Sequence, residues 1–478
     1  MSTKNGKKVA IIGGGPGGYA AAFAANDLGL DVTIIDVEAN PGGVCLYRGC
    51  IPSKAMLHVA KVLNEAKEAE HWGIHFEQPS IELAKLRGSK DAVISKMTGG
   101  LGQLCKARKI KFIQGRANFE DSTTIKVVHE DGKEEIVKTD YTILAAGSRP
   151  ATLPDLFLES DRVLNSTTAL QLPDIPKTML VIGGGYIGLE LGTVYAALGS
   201  KVNVVEMTDG LLPGADEDLV TVLTQRMEKV FNKIYLGTKV LGLKEAKDSI
   251  TVSLQSKDGN QLKETYDRVL ISIGRKPNSS GLGLNNTKVV VNARGFVEVN
   301  AQRCTNDPAI YAIGDIAGEP MLAHKASHEG RIAAEAIAGH NTAFEPAAIP
   351  AVVFTDPEVA WAGLTERQAQ KEGRTVHVAR FPWAASGRAT TLNRQDGLTK
   401  FLTDPESGLV LGIGIVGPGA GELIAEGVLA IEMGATATDL GMSIHPHPTL
   451  SETLMESAEL IFGTGTHVYR PRKNQPAN

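Results

Sequence analysis

Val9-Ala10-Ile11-Ile12-Gly13-Gly14-Gly15-Pro16-Gly17-Gly18 is an apolar strand that runs into G-x-G-x-x-G and then into a helix of small residues, Tyr19 to Leu28. Asp36 ends the next apolar strand, Val32-Thr33-Ile34-Ile35. Gly13, Gly15 and Gly18 permit a tight turn and let a pyrophosphate approach a helix N-terminus, while Asp36 can take ribose hydroxyls. The pattern returns at Met179-Leu180-Val181-Ile182-Gly183-Gly184-Gly185-Tyr186-Ile187-Gly188, with Glu206 closing Val202-Asn203-Val204-Val205. Asp36 follows Gly18, and Glu206 follows Gly188, at the same interval. One such glycine run is weak, because glycine-rich turns are common; two with strand, helix and acid in register predict two Rossmann-like dinucleotide domains.

Directly after the first site comes Gly42-Gly43-Val44-Cys45-Leu46-Tyr47-Arg48-Gly49-Cys50-Ile51-Pro52-Ser53-Lys54. On spacing alone, Cys45 and Cys50 could be two buried cysteines that never pair. Their place after a nucleotide turn reads instead as a redox-active disulfide. Pro52 suits the first turn of a helix, which puts Cys50 near the positive end of a helix dipole and favours its thiolate. The chain has four cysteines in 478 residues and no hydrophobic signal segment, so a disulfide here is chemistry, and the expected compartment is the cytoplasm. Two dinucleotides on one chain imply two-step electron transfer, with FAD resident at the cysteine-bearing site and NAD exchanging at the second. Glu206 would repel a 2′-phosphate, and Met207-Thr208-Asp209 supplies no arginine to receive one.

The net charge of −5 excludes a nucleic-acid surface, and no apolar run reaches membrane-spanning length. The expected division is an FAD domain over 1–150, an NAD domain over 151–273, a return to the flavin domain over 274–348, an α+β interface domain over 349–470 and a flexible tail over 471–478. The first two boundaries rest on a repeated exit, an apolar strand followed by Gly147-Ser148-Arg149-Pro150 and again by Gly274-Arg275-Lys276-Pro277. Asp315 ends the strand Ala309 to Gly314, where it is either a ribityl ligand or a simple turn residue. His445-Pro446-His447-Pro448-Thr449-Leu450-Ser451-Glu452 is either a capped helix start or an imidazole held by a carboxylate, which is a general base. A helix is expected over Thr449 to Phe462. Cys105 and Cys304 match no redox motif, and no metal site is expected.

Together the two glycine fingerprints, G-G-x-C-x-x-x-G-C-x-P-S-K, the Gly314-Asp315 strand and the H-x-H-P-T-x-x-E end resemble the pyridine nucleotide-disulfide oxidoreductases from Lys8 to about Phe462. Met321-Leu322-Ala323-His324, Phe354-Thr355-Asp356-Pro357-Glu358-Val359-Ala360 and Pro382 to Ala389 resemble its dihydrolipoamide-oxidising branch. The resemblance implies Cys45 as interchange thiol, Cys50 as the thiol facing the flavin, and His447 with Glu452 as a base pair supplied by the partner of a homodimer. It further implies a Lys54–Glu190 ion pair beside the flavin and Tyr186 as a gate on the nicotinamide pocket. Around tightly but non-covalently bound FAD it gathers Gly13, Gly15, Gly18, Asp36, Lys54, Gly147, Asp315 and Ala323; around NAD it gathers Gly183, Gly185, Gly188, Glu206 and Gly274. The implied partner is a lipoylated acyltransferase or lipoyl carrier of a 2-oxo acid dehydrogenase or glycine cleavage complex. A glutathione or mercuric reductase of the same fold would need NADPH and other substrate residues, and a purely structural subunit would need none of the four reacting side chains. The family usually carries Leu-Asn-Val-Gly between its cysteines, where this chain has Leu46-Tyr47-Arg48-Gly49, and Pro446 replaces a small residue between the histidines. Arg48 is expected either to favour a cysteine thiolate and raise the disulfide potential or to lie on the surface with its stem packed.

Overall fold

The computed structural model describes residues 6–152 and 158–469. The expected tail over 471–478 therefore lies outside the described residues.

Strands buried on both faces read as continuous apolar runs, and both glycine strands are of this kind. Lys8–Ile12 lies at the centre of a five-stranded parallel sheet, in the order Ile310–Ala312, Tyr141–Leu144, Lys8–Ile12, Asp31–Asp36, Lys111–Gln114. Thr178–Ile182 is central to a second one, in the order Val163–Asn165, Arg268–Ile271, Thr178–Ile182, Lys201–Val205, Lys233–Tyr235. Val9 faces Val32 in the first sheet, and Met179 faces Val202 in the second. Each unit also carries a three-stranded antiparallel sheet, Arg116 to Lys138 in the first and Thr238 to Tyr266 in the second. The two exits, Gly147-Ser148-Arg149-Pro150 and Gly274-Arg275-Lys276-Pro277, pair antiparallel with each other, Ser148 opposite Pro277 and Pro150 opposite Arg275, which stitches the units together.

The first glycine helix is Pro16–Asp27, three residues earlier than the expected start at Tyr19, because proline is well tolerated at a helix start. It packs on Ala323–Ala338 through small residues: a Cβ on Gly330 would lie 2.6 Å from Gly17 O. From Ala351 the chain forms a five-stranded antiparallel sheet covered by helices that include Ala420–Glu432 and Glu452–Glu459. The last helix is shorter than the expected Thr449–Phe462, because Pro448 and the loop bond from Thr449 N–H to Glu452 Oε2 (2.7 Å) occupy its first turn. Lys400, buried under that sheet, ties it to the second unit through Asp216 (2.7 Å) and Asp218 (2.8 Å). Among the described residues no helix is long and apolar enough to cross a membrane.

Candidate active site

Gly13 takes φ +104° and Gly183 φ +109°, and a Cβ there would lie 2.3 Å from Ala145 O and 2.5 Å from Ser272 O respectively. Both positions demand glycine for the protein's own turn. Gly18 and Gly188 are packed just as tightly, against Gly13 O and Gly183 O. Gly15 and Gly185 differ: a Cβ on Gly15 meets nothing nearer than Gly43 Cα at 3.8 Å, and one on Gly185 meets nothing within 4 Å. The space above the middle glycine of each fingerprint is thus left clear, and a pyrophosphate fits there. The two acids are placed alike. Asp36 accepts from Gly14 N–H and from Glu38 N–H (2.8 Å). Glu206 accepts from Gly184 N–H (2.7 Å), Thr208 N–H and Thr208 Oγ (2.8 Å each). Burial pushes the Asp36 carboxyl up, the Glu38 and Gly14 N–H groups opposing it.

One cavity of about 360 Å³ runs from Asp36 and Glu38, past Gly13, Gly15 and the start of the glycine helix, to Cys45, Cys50, Lys54 and Tyr186. Gly147, Asp315 and Ala323 also line it. An acid at one end, an open glycine turn in the middle and a thiol pair at the other end is the order a flavin dinucleotide would require. Gly183, Gly185, Gly188 and Glu206 cluster at the C-terminal edge of the second sheet instead, and Gly274 (φ +112°) opens the paired exit strand.

Gly43–Arg48 is a short helix carrying Cys45, and Cys50 opens the long helix Cys50–Glu68. Gly49 divides them because a Cβ there would lie 2.8 Å from Val44 O. Cys45 and Cys50 are free cysteines in this structure. The Cys45 side chain hydrogen-bonds that of Cys50; with help from the Lys54 ammonium and against burial, this lowers the Cys50 thiol to about 7. Cys45 is pushed up by the same contact and by burial. The contact therefore favours the charged form on Cys50 over that on Cys45.

Lys54 Nζ donates to Glu190 Oε2 at 2.8 Å and lies 4.5 Å from the Phe354 ring centroid. Buried Glu190 also accepts from Ser53 Oγ (3.1 Å) and Phe354 N–H (3.0 Å). Tyr186 stands at the boundary of the two units, its hydroxyl pushed up to about 12 by burial. His447 Nδ1 lies 2.9 Å from Glu452 Oε1, and its ring is 74% exposed, away from the residues that line the cysteine cavity. The Glu452 carboxyl sits low: the Thr449 N–H and His447 outweigh the upward push of burial. An ionised Glu452 only accepts, so Nδ1 carries the proton and Nε2 presents the lone pair.

The profile described as pyridine nucleotide-disulphide oxidoreductase matches residues 7–330, and that of the same family's dimerisation domain matches residues 349–458. The chain belongs to the pyridine nucleotide-disulfide oxidoreductase family. It is 50% identical over 466 residues to a dihydrolipoyl dehydrogenase of Haemophilus influenzae, covering 98% of this chain and 97% of the relative. It is 44% identical over 458 residues to one from Geobacillus stearothermophilus, covering 96% and 97%. The crystal structure of LpdA from Mycobacterium tuberculosis superposes with a TM-score of 0.88 at 27% identity, covering 95% of this chain and 99% of that one.

Against this family background the departure at Arg48 acquires a place. Arg48 is ion-paired with Glu38 and lines the cavity at the Asp36 end; the cation beside Cys50 is Lys54. The expected guanidinium acting on the thiolate is thus directed elsewhere. Two supporting residues escaped the sequence reading. Ser148 donates to Asp315, and buried Glu329 accepts from Gly314 N–H (2.6 Å), fixing the turn that carries Asp315. Glu329 in turn is held by Arg303 and Lys325, both at 2.9 Å. Ser148 at least sat in the quoted exit motif; a glutamate within the helix Ala323–Ala338 carries no local signal.

Proposed function

We propose that this chain is an NAD-dependent dihydrolipoyl oxidoreductase that works as a homodimer in the cytoplasm, closing the dihydrolipoyl groups of a lipoylated acyltransferase or carrier protein. The observation that carries the reading is that Cys45 and Cys50 line the same cavity as the first glycine cradle.

His447 Nε2, supplied across the dimer, takes a proton from one dihydrolipoyl thiol. The new thiolate attacks Cys45 Sγ of the oxidised pair; the Cys45–Cys50 bond breaks, and Cys50 leaves as a thiolate. The second dihydrolipoyl thiol closes on the first sulfur, releasing the cyclic disulfide and returning Cys45 as a thiol, with His447 passing protons and one proton leaving to solvent. Cys50, held ionised at the helix start beside Lys54, retains the electron pair. Bound FAD, cradled by Gly13, Gly15, Gly18 and Asp36, would carry that pair to NAD held by Gly183, Gly185, Gly188 and Glu206. Ser53, Phe354 and Glu190 fix the Lys54 ammonium, and Tyr186 covers the boundary between the two sites.

The test is an anaerobic titration with dihydrolipoamide. The expected result is a long-wavelength thiolate-to-flavin band, followed by NADH formation when NAD is added. Bleaching of the flavin without that band would reject the Cys50 assignment.

A further inference from the structure

Helix Glu452–Glu459 carries a second histidine–carboxylate pair one turn beyond the first. Glu452 accepts from His447 Nδ1 at 2.9 Å; Glu456 accepts from His467 Nδ1, and the His467 N–H lies 3.4 Å from its other oxygen. The Glu456 side chain is 4% exposed, and the His467 ring 59%. A buried carboxylate without a partner is costly, so the contact with Glu456 holds His467 in place. Glu459 completes the face, since positions four and three apart on a helix are neighbours. Its Oε2 is buried without a hydrogen-bond partner, and burial together with the Glu456 charge pushes its carboxyl up. Three carboxylates and two imidazoles thus share one face, and only one imidazole is assigned to the thiol chemistry.

We propose that His467 is a positioning residue for the base: as a cation it neutralises Glu456, and so sets the field in which Glu452 holds His447. The proposal rests on reading His447 as the base. Glu452 itself feels the His467 charge. The other charged groups on elements packed against this helix are engaged elsewhere or remote. Lys400 is bound to Asp216 and Asp218, and Arg380 pairs with Asp218 and Glu366, all beneath the sheet. Asp439 caps its own helix at Thr436, and His445 is held by Glu426 at 2.8 Å. His377 opens its strand on the helix side and is exposed.

Removing a cation from beside a histidine lets that histidine keep its proton to higher pH, and a protonated base is inactive. In His467→Gln the acid limb of kcat/KM for dihydrolipoamide should therefore move up by about half a pH unit, the partial exposure of the ring moderating the effect. Glu456→Gln, which removes the anion, should move it down, and His467→Lys, which keeps a cation, should leave it within wild-type error. The reference is the NADH-to-dye limb measured on the same preparations, which uses no thiol base. Superimposable dihydrolipoamide profiles for wild type and His467→Gln, or equal shifts in both reactions, would overturn the proposal. His467 is exposed, so its substitution does not depend on Glu456→Gln folding. His447→Gln separates the two levels of inference: full dihydrolipoamide activity in that variant would remove the base reading itself, whereas its loss beside an unmoved His467→Gln profile would remove only the positioning role.

Discussion

The two dinucleotide units share a glycine fingerprint, an antiparallel sheet and the order of four of their five parallel strands, the fifth coming after the others in the first unit and before them in the second, yet they differ between the strand that leads to the acid and its outer neighbour. The first unit places Gly43–Arg48, Cys50–Glu68 and Leu83–Ala107 there; the second has the single helix Glu217–Val230. The redox chemistry is therefore an insertion into one copy of a duplicated fold. It enters where the strand ends in Asp36, at the C-terminal edge of a parallel sheet where ligands bind, so the inserted cysteines emerge beside whatever the cradle holds. The second copy, without the insertion, keeps only the cradle and its acid. On the proposed function, the first copy retains a cofactor next to thiols and the second lets one come and go.

Alanine at the middle glycine of each cradle gives the largest separation. Neither Gly15→Ala nor Gly185→Ala would strike the protein, since the nearest atom to the new Cβ is 3.8 Å away at Gly15 and beyond 4 Å at Gly185. Both variants should fold with wild-type Tm. Gly15→Ala should purify colourless, and Gly185→Ala should purify yellow with a KM for NAD raised at least about tenfold, the effect of losing roughly 1.4 kcal/mol. A colourless Gly185→Ala would show that the two cradles are not independent.

Next in size is the acid of the second cradle. Glu206 turns both carboxylate oxygens to its own turn, where Gly184 N–H and Thr208 hold it against the ribose position. NAD should be strongly preferred over NADP, and Glu206→Gln should narrow the preference by about tenfold, as expected for a like charge removed from beside a phosphate. Equal turnover with both nucleotides in the unmodified enzyme would break the contrast between the units and favour an NADPH-dependent reductase.

A smaller effect belongs to the inserted thiols. Cys50 sits at about 7, below an ordinary thiol, because the Cys45 side chain bonds its thiolate and Lys54 adds positive charge, against burial. A depressed value means that the thiolate persists above that pH and is lost below it. In two-electron-reduced enzyme the thiolate band should fade as pH falls, with a midpoint near 7, and Lys54→Met should move the midpoint upward. An unmoved midpoint would leave Cys45 as the source of the shift.

How much of this was legible depends on how local each signal is. The α/β class, the paired fingerprints and the place of the thiols were readable because strand, turn, helix and acid follow one another within a few dozen residues. The antiparallel sheet of each unit was not, since Arg116 to Lys138 is mixed and charged, and its partner strands are recognisable only once paired. The helix Gly43–Arg48 escaped because six residues bounded by glycines are too short for a periodicity. Glu329 escaped because its acceptor role toward Gly314 is a tertiary fact, as is the pairing of Glu456 with His467. The sequence showed His447 with Glu452 as neighbours, but which cavity they serve is a property of the dimer.

The smallest expected effect is at Arg48, one of the two residues, with Tyr47, by which the segment between the cysteines departs from the expected family pattern. The sequence offered two readings, a guanidinium that stabilises a thiolate or a surface side chain. Its pairing with Glu38 changes the balance, because the carboxylate cancels the charge that a nearby sulfur would otherwise feel. The pair is partly exposed, at 38% for Arg48 and 23% for Glu38, and such pairs are worth about 0–1 kcal/mol. At about 1.4 kcal/mol per 30 mV for a two-electron couple, Arg48→Val should shift the disulfide potential by less than about 20 mV. The same substitution leaves Glu38 unpaired near Asp36, so its larger consequence should fall on the cradle, as faster release of FAD in mild denaturant. Redox titration against lipoamide and NADH, run beside flavin-release kinetics, separates the two. A potential shift well above 20 mV with unchanged flavin release would return Arg48 to the thiols and make the insertion, rather than the cradle, the place where this chain has diverged.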